Sequence, residues 1–287
     1  MASMREIKRR RSSVQSTQQI TKAMKLVSTV KLQRTKQRAE QSKTYFDSMY
    51  KTVTSMLSRT GGLNHPYLKA GDSEKKAVIV ITSNRGLAGG YNSNVTKLIT
   101  KSEFKKEDLV LYTIGKKGYE TFKRMGYNVA WDNTEMIEEP KYDDAMKLSK
   151  EILTGFSNGE FGEIYLAYTA FKNTISHEPK LIKLLPYEAD ENAEAVEEEN
   201  DNILMNFEPK DEEALNLIIP KYITSLIFGG MVEAAASENG ARMQAMDSAT
   251  SNAEEMISSL SLMYNRARQG SITQELTEIV AGANAIS

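Results

Sequence analysis

The sequence of 287 residues contains no cysteine. A disulfide scaffold, a thiolate metal site and a cysteine nucleophile are therefore excluded. Histidine is nearly absent as well, and the two that are present, His65 and His177, are too few for a histidine-rich metal site. The six prolines all lie between positions 66 and 220, so both ends of the chain lack the residue that most strongly breaks helices.

Long hydrophobic runs are also missing. The longest uncharged stretches, such as Tyr222–Val232, are shorter than the roughly 18–20 residues that a membrane-spanning helix needs. No apolar segment follows the basic start, so we expect no secretory signal peptide and a soluble chain that only a partner holds at a membrane. The net charge of −1 gives no overall indication of a polyanionic partner.

Both ends of the chain carry the repeat of an amphipathic helix. Apolar or small side chains recur every three, four or seven residues over about Ser3–Arg59 and about Asp211–Ile286, which predicts two long helices. Gly61-Gly62 is predicted to stop the first helix, and Pro220 and Gly229-Gly230 predict a kink or weak point in the second. The predicted apolar stripe of the first helix is Ile7, Val14, Ile20, Ala23, Met24, Val27, Val30, Ala39, Phe46, Met49, Val53 and Met56.

The middle of the chain alternates short apolar runs with helical segments, which predicts an α/β domain with Rossmann-like layering. The short last link predicts an antiparallel pair at one edge, and the acidic run 188–199 is predicted to be a mobile loop. The predicted strands are Ala77–Thr82, Leu109–Ile114, Tyr127–Trp131, Glu163–Phe171 and Lys180–Tyr187. The predicted domains are a first coiled-coil helix (1–60), a central α/β domain (73–209) and a second coiled-coil helix (210–287).

The two predicted helices are too long for the central domain to cover. At 1.5 Å per residue they measure roughly 80 and 110 Å, whereas a domain of that size has a radius of gyration of ~14 Å. We therefore expect them to pair as a long antiparallel coiled coil. From Gln269 onward the only charged side chains are Glu275 and Glu278, so we expect this tip to sit in a sleeve of other subunits. The alternative is a helix that folds back on the domain.

Charge is segregated along the chain. From Met1 to Lys43 there are twelve basic and two acidic residues, which indicates a surface for phosphate or for an acidic protein patch. The alternative is a helix face that is simply solvated. No aromatic residue precedes Tyr45, which disfavours stacking on single-stranded nucleic acid.

One glycine-rich motif could support chemistry, the segment Ile81–Asn94 (ITSNRGLAGGYNSN). It follows a strand and precedes a helix, as phosphate-binding loops do. However, the chain contains neither G-x-G-x-x-G nor a Walker motif, and G-x-S-x-G is absent as well. We therefore interpret the segment as a tight turn in which glycine supplies positive φ and Asn92 or Ser93 caps the helix.

The remaining polar residues indicate no reaction. His177 precedes Glu178-Pro179 and is predicted to be an exposed turn histidine, and His65 is predicted to be a loop residue. The acidic run 188–199 offers no fixed geometry for acid–base work. The sequence thus predicts no catalytic residue, no cofactor and no metal site.

Several segments closely resemble the gamma subunit of the F-type ATP synthase, in order along the whole chain. They are Gln19–Arg34 (QITKAMKLVSTVKLQR), Ser83–Asn94, Ser237–Ile257 and Tyr264–Ile286. The resemblance implies the rotor stalk of a rotary ATPase, whose coiled coil turns inside a ring of three alpha and three beta subunits. It couples proton flow through the c-ring to ATP synthesis or hydrolysis at the beta subunits.

The resemblance also implies partners and a location. Its base would bind the epsilon subunit and the membrane c-ring, with no nucleic acid partner and no direct membrane insertion. The chain would be a noncatalytic, peripheral subunit at the cytoplasmic face of a bacterial membrane. Because the cysteine-bearing insert of chloroplast relatives is absent, we expect no redox control.

The resemblance extends to individual positions. The predicted rotor–stator contact residues are Met24, Lys25, Arg242, Arg268, Gln269, Thr273, Ile279 and Ile286. The first two match a segment near the acidic levers of beta, and the next four match one that contacts the beta loops near the sleeve. The last two bound the tip in the upper bearing. Gly270 stands where alanine is expected, which weakens the helix there.

Two functions of other classes stay open on the sequence alone. One is a nucleotide-binding α/β enzyme with helical arms, which a titration with nucleotide would reveal. The other is a coiled-coil adaptor whose basic helix grips RNA, which would bind nucleic acid with a steep salt dependence.

Overall fold

A computed structural model of the chain describes residues 3–59, 65–69, 71, 73–187 and 211–286. It divides into two compact units: Met1–Thr29 with Arg242–Ser287 form unit 1, and Val30–Ala241 form unit 2. The predicted loop at 188–199 and the predicted stop at Gly61-Gly62 lie outside the described residues.

Five helices and five strands lie within the described residues. The helices are α1 (Met4–Arg59), α2 (Tyr91–Thr100), α3 (Lys116–Arg124), α4 (Tyr142–Ser157) and α5 (Asp211–Ile286). The strands are β1 (Lys76–Ile81), β2 (Leu109–Ile114), β3 (Asn128–Asn133), β4 (Glu163–Phe171) and β5 (His177–Leu185). These ranges confirm the predicted α/β fold with long terminal helices, although β5 begins three residues before the predicted strand.

The sheet of unit 2 has the strand order β3-β2-β1-β4-β5. The first four strands are parallel, and β5 pairs antiparallel with β4 at one edge, as the short link between them predicts. Side chains of the central strand β1 alternate between two cores. Ala77, Ile79 and Ile81 pack on the side of α4 and α5, whereas Val78 and Val80 pack with residues of α2 and α3.

Helix α5 runs through Pro220 and Gly229-Gly230 without a break, so the predicted weak point does not end the helix. Ile219, Ile223 and Ile227 are buried in the core of unit 2, and such tertiary packing outweighs local helix propensity. A window within Leu215–Ala285 is apolar enough by composition to cross a membrane, but 61% of it is buried inside the protein. That burial is the pattern of a core helix.

Unit 1 is an antiparallel coiled coil. Side chains on α1 are buried or half-buried at alternating steps of three and four residues, at Met4, Ile7, Arg11, Val14, Gln18, Thr21, Lys25 and Ser28. The same steps occur on α5 at Met246, Thr250, Ala253, Ile257, Leu260, Tyr264 and Ala267. Seven residues per two turns is the repeat of a left-handed coiled coil. We call these positions the seam.

The predicted apolar stripe of α1 is only partly right within unit 1, where Ile7 and Val14 lie on the seam and Met24 is half-buried. Ile20 and Val27 are 60% and 57% exposed, whereas their neighbours Thr21 and Ser28 are buried. Ile20, Ala23 and Val27 follow the same helical spacing as the seam but in a shifted phase, so hydrophobicity alone placed these three on the wrong face. Hydrogen bonds satisfy the polar groups of the seam instead.

Candidate functional site

The glycine-rich segment lies at the carboxyl end of β1, beside the point where the strand order reverses between β1 and β4. Open α/β sheets bind nucleotides at this place. Here protein groups fill it. The Thr82 hydroxyl accepts a hydrogen bond from the Gly118 amide at 2.8 Å, in the first turn of α3. A Cβ at Gly115, where φ is +98°, would lie 2.1 Å from the Thr82 carbonyl oxygen.

The neighbouring turn into α2 is closed as well. The Asn92 Oδ1 accepts hydrogen bonds from the Ser83 amide at 2.9 Å and from the Ser83 hydroxyl at 3.0 Å. The Tyr91 hydroxyl donates to the Ala234 carbonyl of α5 at 3.2 Å. These contacts engage the polar groups of Ser83, Tyr91 and Asn92 within the protein, which favours the interpretation of the motif as a structural turn.

The predicted helix cap is wrong. The N-cap of α2 is Gly90, which has no side chain to cap the helix. Asn92 instead accepts from Ser83, and the Ser93 hydroxyl donates back to the Gly90 carbonyl. Gly89 has a positive φ, as predicted for glycine in this turn, and so does Leu87 at +63°. Leu87 is also 62% exposed. Leu87 is not among the residues predicted from the sequence, and only its position in a glycine-rich turn could have indicated it.

The two histidines occupy different settings. His65 is a loop residue as predicted, and it is buried, with Nε2 lying 3.1 Å from Asn216 Oδ1. His177 is the first residue of β5 rather than an exposed turn residue, so that prediction is wrong. Both of its ring nitrogens are buried without a hydrogen-bond partner, and this burial lowers the pKa of the imidazole. Its ring packs on Gly240 and Phe171.

A cavity of about 430 Å³ lies between α1, α5 and the β4–β5 turn of unit 2. Its charged groups already have partners within the chain. Glu233 accepts a hydrogen bond from the Phe171 amide at 3.2 Å, and Lys172 pairs with Glu178 at 2.5 Å. Within the described part of the chain, no three histidine, aspartate or glutamate side chains are grouped to hold a metal ion.

The coiled coil of unit 1 carries the predicted contact residues, in two separate clusters. Met24, Lys25 and Arg242 are half-buried, and Lys25 Nζ lies 2.6 Å from Asp247 Oδ1 on the other helix. Arg268, Gln269, Thr273 and Ile279 are exposed. The 21 residues from Asp247 to Arg268 separate the clusters by about 32 Å along α5. The side chain of Ile286 lies outside the described residues.

Exposed apolar side chains accompany both clusters. Leu26 and Val27 lie beside the first cluster and Leu276 and Val280 near the second, and all four are more than half exposed. Val280 lies within the predicted tip between Ile279 and Ile286, whereas Leu26, Val27 and Leu276 were not among the predicted contact residues. Sequence spacing did not indicate Val27, because its hydrophobicity placed it on the predicted buried stripe of α1.

Comparison with known proteins places the chain in one family. The ATP synthase family model matches residues 3–286. The ATP synthase gamma chain of Lachnoclostridium phytofermentans is 64% identical over 291 residues and is covered completely, as is this chain. That of Alkaliphilus metalliredigens is 43% identical over 284 residues, with 99% of this chain and 98% of the relative covered.

A solved structure shares the fold. A chain of the Euglena gracilis mitochondrial ATP synthase, in an assembly described as OSCP/F1/c-ring, aligns with a TM-score of 0.70 and 19% identity. The alignment covers 99% of this chain and 94% of that one. At this identity the likeness concerns the fold alone.

Proposed function

The chain belongs to the family of ATP synthase gamma chains, and from this premise we propose how it transmits torque. It is the central stalk of an F-type ATP synthase and a noncatalytic subunit of that complex. We infer that proton flow through the c-ring of the membrane sector turns the chain. Its rotation then drives the catalytic sites of the beta subunits through ATP synthesis, or runs in reverse during hydrolysis.

The exposed end of α5 is the observation that carries this proposal. Every residue from Ile272 to Ala285 is exposed, and the large apolar residues among them are Ile272, Leu276, Ile279 and Val280. An apolar helix end in water requires a partner, and a ring of alpha and beta subunits would supply one. Because apolar contacts are non-directional, such an end can turn against its sleeve without breaking a fixed set of hydrogen bonds.

We assign the pushing contact to the cluster around Met24, Lys25 and Arg242. It combines cationic groups with the outward apolar side chains of Leu26 and Val27, so a beta subunit with an acidic lever would meet both attraction and a surface to press on. An exposed ion pair contributes only ~0–1 kcal/mol. Contacts this weak can pass from one beta subunit to the next without trapping the rotor.

We propose that the α/β domain of unit 2 serves as the base. It would bind the epsilon subunit and the c-ring, so that the chain lies at the cytoplasmic face of the bacterial membrane as a peripheral subunit. Family membership supports this assignment.

Co-purification tests the proposed function. The tagged chain, expressed together with its genomic alpha and beta partners, is expected to yield a complex of three alpha, three beta and one copy of this chain, with ATP hydrolysis activity. A chain truncated before Arg268 serves as the matched variant and is expected to give a less stable complex. Recovery of the full-length chain alone, with alpha and beta in the unbound fraction, would contradict the proposal.

A further inference from the structure

Three polar contacts join the two helices of unit 1 at successive seam positions. Gln18 Nε2 donates to Glu254 Oε1 at 3.0 Å, the hydroxyls of Thr21 and Thr250 lie 2.8 Å apart, and Lys25 Nζ donates to Asp247 Oδ1 at 2.6 Å. Each step of three or four residues along α1 matches a similar step back along α5. The contacts therefore define one register between the helices.

The threonine pair lies in the buried part of this seam. Both side chains are less than a tenth exposed. Each of the two hydroxyl protons nevertheless has a hydrogen-bond acceptor, in either of two arrangements. Thr250 can donate to the Met246 carbonyl at 2.7 Å while it accepts from Thr21. Alternatively, Thr21 donates to the Gln18 carbonyl at 3.0 Å and accepts from Thr250. Each hydroxyl is satisfied in both arrangements.

The seam of α1 has little apolar content beside this pair. Between Val14 and Ser28 the seam positions hold only Gln18, Thr21 and Lys25, while Ile20 and Val27 face outward. Apolar contacts are non-directional, so an apolar seam would tolerate a shift of seven residues that restores its repeat. A buried polar residue in a coiled coil instead favours the one register in which it finds its partner.

Only the threonine pair distinguishes the registers sharply. A shift of seven residues in one direction would place Thr21 opposite Ile257, and a shift in the other would place it opposite Met243, neither of which carries a hydroxyl. The ion pair is less discriminating, because the first shift would offer Lys25 the carboxylate of Glu254. Of these three polar contacts, the one between the two threonine hydroxyls therefore discriminates the register most sharply.

We propose that Thr21 and Thr250 are positioning residues that lock the register of the coiled coil, so that the two helices carry torque as one shaft. This inference rests on the proposed rotor function. Torque on a two-helix coil pushes one helix along the other, and a directional hydrogen bond between the helices opposes that sliding. Thr21 and Thr250 contact no nucleotide and no stator subunit in this account; they act through the helices that they join.

The test uses the whole ATP synthase in membrane vesicles, with cysteines of the other subunits replaced. Because this chain has no cysteine, introduced pairs report register without background. The pair Val14→Cys with Ile257→Cys reports the register described above, and Val14→Cys with Tyr264→Cys reports a shift of seven residues, since a disulfide requires Cα atoms within about 7 Å. The second readout is the number of protons pumped per ATP hydrolysed.

The key variant is Thr21→Val with Thr250→Val, which keeps the shape of both side chains and removes both hydroxyls. The matched control is Thr17→Val, whose hydroxyl, like that of Thr250, donates to the backbone carbonyl four residues earlier but lies on the exposed face. The pair Thr21→Ser with Thr250→Ser restores the hydroxyls and serves as the rescue. If the double valine variant does not assemble, Thr21→Val alone is measured in its place.

During ATP-driven rotation, the wild type, the Thr17 control and the serine rescue are expected to form the Val14–Ile257 link only. The valine variant is expected to form both links and to pump at least about twofold fewer protons per ATP. A valine variant that forms only the first link would overturn the proposal, and so would a shifted link with unchanged pumping. Failure of the wild-type complex to pump would instead overturn the rotor function and leave the register result intact.

Discussion

Lys25 Nζ lies 2.6 Å from Asp247 Oδ1 across the two helices of unit 1. The sequence resemblance assigns Lys25 to an acidic partner on another subunit, yet within the chain its ammonium already has a carboxylate. Both side chains remain more than a third exposed, so the pair contributes only ~0–1 kcal/mol to stability. The ammonium therefore remains available to a second, external carboxylate.

Reversal of this charge separates the two roles of Lys25. We expect Lys25→Glu to reduce ATP-driven proton pumping more than it reduces assembly, because it repels both Asp247 and an acidic stator surface. The double variant Lys25→Glu with Asp247→Lys restores an internal ion pair with reversed polarity. Coupling is expected to stay low in the double variant if the stator contact matters. Unchanged pumping by Lys25→Glu in membranes would refute the assignment.

Truncation tests the end of α5. A chain ending after Gly282 loses the exposed residues Ala283–Ala285 and the two residues that follow them, and we expect partial ATP hydrolysis because the last turn guides the rotor more than it pushes. Steady-state hydrolysis by the purified complex, with subunit stoichiometry measured in the same sample, provides the readout. Complete loss of hydrolysis in an intact complex would show that the tip is itself the lever.

Protonation of His177 at low pH is expected to lower the free energy of unfolding of unit 2. Burial without hydrogen-bond partners holds the pKa of this imidazole below its usual 6.5, so below that pH the unfolded chain binds more protons than the folded one. The free energy of unfolding therefore falls as pH drops through about 6.5 and stays at its full value above it. Urea unfolding of the isolated chain at pH 7.5 and 5.5 measures the change.

The variant His177→Leu provides the control for this pH dependence. It cannot be protonated, so its loss of stability between pH 7.5 and 5.5 is expected to be smaller than that of the wild type. Equal losses in the two proteins would assign the acid sensitivity to the carboxylates and not to His177.

Two glycines of α5, Gly240 and Gly270, allow the same substitution to be compared at a crowded and at an open position. A Cβ at Gly240 would lie 2.6 Å from His177 Cε1, and we expect Gly240→Ala to destabilise the chain by about 1–3 kcal/mol through overpacking. A Cβ at Gly270 would meet nothing within 4 Å, so Gly270→Ala is expected to stabilise α5 by up to ~1 kcal/mol through helix propensity. Thermal unfolding monitored by circular dichroism distinguishes the two, and shifts of the same sign would contradict this packing.

Sequence patterns located the regular elements well for physical reasons. The run at Ala77–Thr82 is buried on both faces of β1, and a continuous apolar β-branched run is what such a strand requires. The absence of proline before position 66 and after position 220 predicted long helices at both ends of the chain, and the continuous helices α1 and α5 confirm this. Pro220 lies inside the continuous helix α5, where the buried side chains of Ile219 and Ile223 offset the missing backbone hydrogen bond.

The features that the sequence patterns did not predict depend on tertiary contacts. The seam of α1 between Val14 and Ser28 could not be predicted from hydrophobicity, because Thr21 is polar and its burial accompanies a hydrogen bond with Thr250. The burial of His177 likewise depends on Gly240, which lies 63 positions away in the sequence. The prediction that Asn92 caps α2 was wrong for the same reason, because the Asn92 side chain is hydrogen-bonded to Ser83. The predicted contact residues remain predictions until a partner complex is studied.

Observation of single complexes tests the central claim most directly. With the alpha and beta subunits fixed to a surface and a bead attached to unit 2 of this chain, addition of ATP is expected to turn the bead continuously in one direction. The rotation should stop when ATP is removed, since the chain itself has no catalytic site. Steady ATP hydrolysis by complexes whose bead does not rotate would contradict the account.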